Sequence, residues 1–175
     1  MKVVTAENEI ETFGAQAEAK FGLEFNAKIA RMLSEQIYSD PILAVGREYI
    51  CNAWDAHTQV NQDKPILVKL PNALSPYWSV RDYGPGLSQE QIMGSAATGN
   101  KGLFNTYGKS GKDDSNLQIG GFGMGSKAGF AYVKQTSAFT VTSWHGGLCN
   151  IYTAHMDKDG IPNIVLMASS EYTDK

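Results

Sequence analysis

The 175 residues of the chain, of which 42% are hydrophobic and 19% charged, fit one ordinary globular domain spanning residues 1–175. A formal net charge of −3 gives no signal for direct nucleic-acid binding, which usually requires a basic surface. No apolar run approaches the about 18 residues of a membrane span, and the first residues lack the apolar core of a signal peptide, so we expect a cytoplasmic protein.

Apolar periodicity predicts helices early in the chain and strands late. The predicted helices comprise residues 23–38, 41–59, 88–93 and a fourth from residue 126, and the predicted strands comprise residues 2–5, 66–70, 78–83, 138–145, 148–156 and 161–168. The second helix has the clearest start, since Asp40 and Pro41 are typical of an N-cap and a first helical position. This order indicates a mixed α/β (α+β) fold in which helices cover one face of a sheet.

Regular periodicity largely disappears between Gly84 and Gly125, apart from the short third helix. Gly accounts for 18 of the 175 residues, and many of these glycines lie in or near this stretch. Glycine suits a backbone that approaches a ligand closely, and an irregular segment this long is usually disordered or functional. We therefore expect ligand-cradling loops and a lid.

The second predicted helix carries a polar stripe in otherwise apolar surroundings. Glu48, Asn52 and Asp55 fall within about 60° of one another on a helical wheel. Two acids and an amide on one face can bind a hydrated cation or activate a water molecule. The alternative is that the stripe faces bulk water on an ordinary amphipathic helix, and this segment alone leaves both interpretations open.

A second motif follows the predicted strand 78–83, where Asp82, Gly84 and Gly86 have the spacing D-x-G-x-G. Asp82 points the same way as the apolar residues of the strand, which predicts an inward carboxylate in need of hydrogen-bond donors. The exocyclic amino group of a bound base is such a donor. A simple turn is the alternative interpretation, because Asp and Gly are common in turns.

The third motif is a glycine loop that leads into the fourth predicted helix. Free backbone N–H groups at a helix N-terminus, made approachable by glycines, suit a phosphate. Two similar motifs are rejected: the dinucleotide pattern ending at Ala128 lacks a preceding strand, and Gly108 and Lys109 have the wrong spacing for a Walker A loop. The loop comprises Gly120, Gly121, Phe122, Gly123, Met124, Gly125, Ser126 and Lys127.

In this order and spacing the three motifs resemble those of the GHKL superfamily, which includes gyrase B, the large cytosolic heat-shock chaperone, MutL and the histidine-kinase catalytic domain. The stretches AVGREYICNAWDAH, VRDYGPGLS and IGGFGMGSKAGFAY are more closely similar to the N-terminal part of the phage rIIA-type lysis-inhibition proteins. The resemblance covers roughly residues 20–170. It implies a Bergerat fold, a two-layer sandwich with a mixed, mostly antiparallel sheet, and Lys175 lies about where its last strand should begin.

The resemblance also implies ATP or ADP and Mg²⁺ as ligands. Asp82 would accept a hydrogen bond from the adenine amino group, Asn52 would complete the Mg²⁺ shell, and Glu48 would activate the attacking water. Asp55 would brace the site or contact the base through water, and residues 94–119 would form an ATP lid. The other implied nucleotide contacts are Gly84, Gly86, Lys109, Gly120, Gly121, Phe122, Gly123, Met124, Gly125 and Lys127.

Two functions remain open at this point. The first is a weak ATPase that couples nucleotide state to lid closure and to homodimerisation or to a host or phage partner, in the host cytoplasm if the chain is phage-encoded. The second is a nucleotide-binding or protein-interaction module with little hydrolysis. Glu48 favours the first, and the absence of a following domain that would donate a catalytic Lys or Arg favours the second. A histidine-kinase domain is disfavoured because Asp55 stands where those enzymes typically carry Lys.

Overall fold

A computed structural model describes most of the chain, with three helices and seven strands in the described part. The described residues are 28–29, 32, 39–104, 106–107, 124–133 and 137–173. The helices are α1 (Pro41–Val60), α2 (Gln89–Met93) and a 3₁₀ helix (Gly125–Ala131), and the strands are β1 (Leu67–Lys69), β2 (Ser79–Arg81), β3 (Gly94–Ser95), β4 (Asn100–Lys101), β5 (Ala138–His145), β6 (Leu148–Met156) and β7 (Pro162–Glu171). The predicted strand 2–5 and most of the predicted helix 23–38 lie outside this part. Within it, no helix combines the length and apolar character needed to cross a membrane.

The long helix α1 begins where the sequence predicts. The Asp40 side chain accepts a hydrogen bond from the Leu43 backbone N–H at 3.0 Å, and Pro41 is the first helical residue. Asn61 closes the helix in the left-handed conformation, and its N–H donates to the His57 carbonyl. Local capping signals therefore fix both ends.

The strands β5, β6 and β7 form an antiparallel meander in that order. The predicted bounds of β5 and β6 are confirmed to the residue, and a two-residue turn of Gly146 and Gly147, both at positive φ, joins them. β7 extends three residues beyond its predicted end. The late strands therefore follow the alternating pattern of the sequence closely.

One face of this meander carries the hydrophobic core. Phe130 of the 3₁₀ helix meets Phe139 of β5 edge to face, with ring centroids 5.1 Å apart. The fully packed members of the core are Ile92, Phe130, Val133, Tyr152, Ala154 and Ile164. Both α2 and the 3₁₀ helix contribute to this core, and α1 packs on the 3₁₀ helix and on β2.

The structure differs from the sequence predictions in three respects. The strands form three separate antiparallel sheets, β1–β2, β3–β4 and β5–β6–β7, rather than one. The fourth helix is 3₁₀ rather than α because Gly125 and Gly129, both poor helix formers, fall within its seven residues. The apolar residues of α1 are also not all buried. Leu43, Ile50 and Trp54 are exposed on the side of the helix opposite the packed one.

Two glycine substitutions test this backbone. Gly46 lies inside α1, and a Cβ built on it meets no atom within 4 Å, so Gly46→Ala should raise the free energy of unfolding by about 0.5–1 kcal/mol. Gly86 has φ +68°, and a Cβ there would overlap the Trp144 carbonyl oxygen, so Gly86→Ala should lower the free energy of unfolding. Urea denaturation measures both, and a loss of stability in Gly46→Ala would contradict the placement of α1.

Candidate functional site

The polar stripe of α1 faces the protein rather than bulk water. Asp55 is only 1% exposed, and Asn52 and Glu48 are partly buried. Both Asp55 and Asn52 take part in interactions within the protein. The interpretation of α1 as a helix whose polar side is simply solvated is therefore wrong.

Glu48 lies against Gly125, the first residue of the 3₁₀ helix. A Cβ built on Gly125 would lie 2.5 Å from the Glu48 Oε2 atom, so a larger residue there would displace this carboxylate. The other oxygen, Oε1, is 3.2 Å from the Arg47 Nη2 atom, in a pair whose Arg47 side chain is largely exposed. Such surface pairs contribute little stability, so Arg47 restrains Glu48 only weakly.

Tyr49 fixes the 3₁₀ helix against α1. Its hydroxyl donates to the Ser126 carbonyl at 3.4 Å and accepts from the Gly129 N–H at 3.1 Å. Its ring stacks on Trp78 just before β2, with centroids 5.9 Å apart. Sequence reasoning missed Tyr49, although a phenol on an otherwise packed helix usually needs a hydrogen-bond partner.

Asp82 forms a turn that packs on the C-terminal half of α1. Its Oδ1 atom accepts from the Gly84 N–H at 2.9 Å, as in an Asx-turn, and the side chain is partly rather than fully buried. The hydrogen bonds among the described residues leave Oδ2 without a donor. Gly84 touches α1, because a Cβ there would lie 2.6 Å from the Ala56 Cβ atom. The Asp82 segment is thus a turn, as the alternative interpretation predicted. Its second carboxylate oxygen, Oδ2, remains available to a ligand.

Residues at the C-terminal end of α1 hydrogen-bond to Tyr83 of the same turn. The Tyr83 N–H donates to His57 Nε2 at 2.8 Å, and its carbonyl accepts from Gln62 Nε2 at 3.1 Å. An imidazole nitrogen can accept only when it carries no proton, so His57 has its hydrogen on Nδ1. This contact gives His57 a structural role that the sequence alone did not locate.

Lys127 is a buried cation next to the Glu48 contact. Its side chain is 2% exposed, and desolvation lowers its pKa from 10.5 to about 8. Its Nζ atom lies 5.9 Å from the centre of the Tyr107 ring. Burying a lysine opposes folding, so a buried lysine usually has a functional role. Lys127 lies two residues from Gly125.

The predicted lid is described only in its first part. Residues 94–101 form the β3–β4 hairpin, whose Thr98 and Asn100 side chains donate to Glu90 Oε1 of α2 at 2.7 and 2.8 Å. This segment is therefore anchored to α2 rather than irregular. The remaining predicted contacts that lie outside the described residues are Lys109, Gly120, Gly121, Phe122 and Gly123. Met124 is described and caps the 3₁₀ helix through its backbone.

The structure thus places Gly125 of the 3₁₀ helix against Glu48, and Gly84 of the Asp82 turn against Ala56, while Asp55 and Lys127 are buried. Among the described residues, no three His, Cys, Asp or Glu side chains gather as a metal-binding group. The chain matches no protein-family model, and no curated protein matches it significantly.

The lowered pKa of Lys127 predicts a pH effect on stability. Between about pH 8 and 10.5 the unfolded chain carries the Lys127 proton and the folded chain does not, so stability should rise with pH through this window. The contribution is at most ~3 kcal/mol. Urea denaturation at several pH values should show this rise in the wild-type chain and a smaller one in Lys127→Met.

At pH 7 the Lys127→Met variant should unfold at higher urea concentration than the wild type, because it buries no charge. Equal pH slopes in the two chains would contradict the burial of this ammonium group.

Proposed function

We propose that this chain binds ATP or ADP with Mg²⁺ along the polar stripe of α1, as a domain of GHKL type, and hydrolyses ATP slowly. The observation that carries the proposal is the double contact of α1 with the two glycine segments. Gly125 lies against Glu48 and Gly84 lies against Ala56, eight residues further along the helix. Two turns of an α-helix measure about 11 Å, a length suited to a nucleotide with its base at one end and its phosphates at the other.

The base would lie at the Asp82 end. The Oδ2 atom of Asp82 has no donor among the described residues, and Gly84 and Gly86 keep side chains away from the turn. An exocyclic amino group is a suitable donor for such an oxygen. Asp55, buried one residue before Ala56, would brace this end of the pocket.

The phosphates would lie at the Lys127 end. A buried ammonium group in contact with no bulk water binds an anion strongly, and the glycine loop before the 3₁₀ helix would supply backbone N–H groups. Asn52 fits Mg²⁺ because this ion takes one or two protein oxygens and completes its shell with phosphate oxygens and waters. Bound Mg²⁺ would neutralise phosphate charge.

Glu48 would act as the general base. Its carboxylate is partly buried at the phosphate end, which lets it orient a water molecule and accept its proton. The packing of α1 and the 3₁₀ helix beside the β5–β7 sheet supports a two-layer Bergerat arrangement. Nucleotide binding would then close the predicted lid over the site and control dimerisation or the binding of a cytoplasmic partner protein.

Calorimetric titration with ADP and Mg²⁺ tests the proposal. The wild-type chain should bind ADP saturably and GDP more weakly, and Asp82→Asn should reduce ADP affinity at least tenfold because the carboxylate loses its charge-assisted hydrogen bond. Lys127→Met should weaken ADP binding while leaving the chain folded. A folded wild-type chain that does not bind ADP would contradict the proposal.

Turnover distinguishes the two functions left open by the sequence. Slow ATP hydrolysis that Glu48→Gln abolishes, with ADP binding retained, would support the ATPase. Binding with no measurable hydrolysis would support the regulatory module instead.

A further inference from the structure

A row of alternating cations and aromatic rings runs from the start of β1 to β5. The Nζ atom of Lys64 lies 5.0 Å from the centre of the Tyr83 ring. The guanidinium carbon of Arg81, on β2, lies 5.1 Å from the centre of the same ring and 4.8 Å from that of Trp144, on β5. The four side chains therefore form one continuous cation–aromatic row.

The β1–β2 hairpin carries a third cation of the same kind. Lys69 Nζ lies 4.3 Å from the centre of the Tyr77 ring and donates to the Tyr77 hydroxyl at 2.8 Å. Residues 64–81 contain these three cations and no acidic residue, in a chain whose net charge is −3. In the described part of the chain none of the three forms a salt bridge with a carboxylate. The hairpin is therefore a local surface of positive charge that no neighbouring acid neutralises.

The strand β1 is exposed on both of its faces. Leu67 and Lys69 lie on the same face as Arg81, which is directly opposite Leu67 in the β1–β2 register. Val68 and Leu70 lie on the other face and are 43% and 68% exposed. Cations on one side and uncovered apolar side chains on the other are typical of a surface that binds a partner.

The backbone of β1 also has a free edge. Within the described residues β1 pairs with β2 alone, in a two-stranded sheet. The N–H and C=O groups of its other edge can accept a further strand, as in complexes that form by β-strand addition. A lipid surface offers no such backbone partner, so the edge favours a protein segment.

The chemistry of the row favours carboxylates over nucleic-acid bases. The Arg81 guanidinium group lies over two rings, which restrains a group whose N–H donors match a carboxylate in bidentate geometry. Single-stranded nucleic acid instead needs open aromatic faces on which bases stack. Here Lys64, Lys69 and Arg81 already lie over the rings of this surface.

We propose that the outer edge of β1 binds an extended acidic segment of a partner protein, in which Asp or Glu alternates with apolar residues. Its carboxylates pair with Lys69 and Arg81 on one face, and its apolar side chains cover Val68 and Leu70 on the other. The alternation follows from the period of two of the strand that the segment joins. This docking surface goes beyond the proposed nucleotide site and does not depend on it.

Calorimetric titration of the full chain with an acidic peptide that alternates Glu with Val tests the proposal. The matched ligand is the same peptide with Gln in place of Glu. The wild-type chain should bind the Glu peptide saturably and the Gln peptide about tenfold more weakly, because only the first pairs with the cations. Binding of the Glu peptide should also weaken as the salt concentration rises.

Substitutions on the hairpin locate the bound peptide. Arg81→Gln should lower affinity for the Glu peptide about tenfold, and Leu70→Ser should lower affinity for both peptides. Lys158→Gln is the matched control, because it removes the same charge from the exposed turn between β6 and β7 and should leave binding unchanged. Urea denaturation checks that each variant is folded. If Arg81→Gln does not fold, Lys69→Gln removes a charge from the same face and should show the same loss.

Equal binding of the two peptides, or equal losses in Arg81→Gln and Lys158→Gln, would overturn the proposal. So would tighter binding of phosphatidylglycerol vesicles or of a single-stranded oligonucleotide, lost in Arg81→Gln, since the surface would then serve a membrane or a nucleic acid. The titrations contain no ADP, so their failure leaves the proposed nucleotide site standing. A chain that binds the Glu peptide and not ADP would contradict the proposed function alone.

Discussion

The contact between Tyr49 and the 3₁₀ helix determines how the rest of the site is arranged. One hydroxyl bonds to two backbone groups of that helix, while the ring of the same residue stacks on Trp78 beside β2. The site needs α1, the glycine loop and the Asp82 turn in contact, and these elements are far apart in the sequence. Tyr49 joins α1 to the 3₁₀ helix, and His57 joins α1 to the Asp82 turn. The polar stripe of α1 is therefore held between the two glycine segments.

Two of the buried polar side chains, Asp55 and Lys127, lie on the two helices for which ligand chemistry is proposed. Asp55, Lys127 and Asn150 are each at most 3% exposed, and the lowered pKa of Lys127 reports the cost of its burial. The side chains packed around Phe130 are apolar apart from Tyr152. A small domain keeps polar groups inside mainly where function requires them, since each one opposes folding. The burial of Asp55 on α1 and of Lys127 on the 3₁₀ helix is therefore consistent with the proposed nucleotide site.

The sequence predicted the elements better than it predicted their contacts. The start of α1 and the bounds of β5 and β6 followed from local signals, namely the Asp40 cap and period-two alternation. The contacts of Tyr49 with Ser126 and Gly129 join residues 77 and 80 positions apart, and no local pattern encodes such pairs. The glycine content predicted neither the close approaches of Gly84 and Gly125 to α1 nor the 3₁₀ form of the helix that contains Gly125 and Gly129.

Amide hydrogen exchange of the chain with and without ADP and Mg²⁺ tests most directly whether α1 and the two glycine segments form one site. At saturating ADP, exchange should slow together in peptides covering residues 44–56, 82–87 and 124–130, because one ligand would contact all three. The turn at residues 157–160, far from these contacts in the β6–β7 connection, should be unchanged. Protection of only one of the three segments, or of none, would contradict the account.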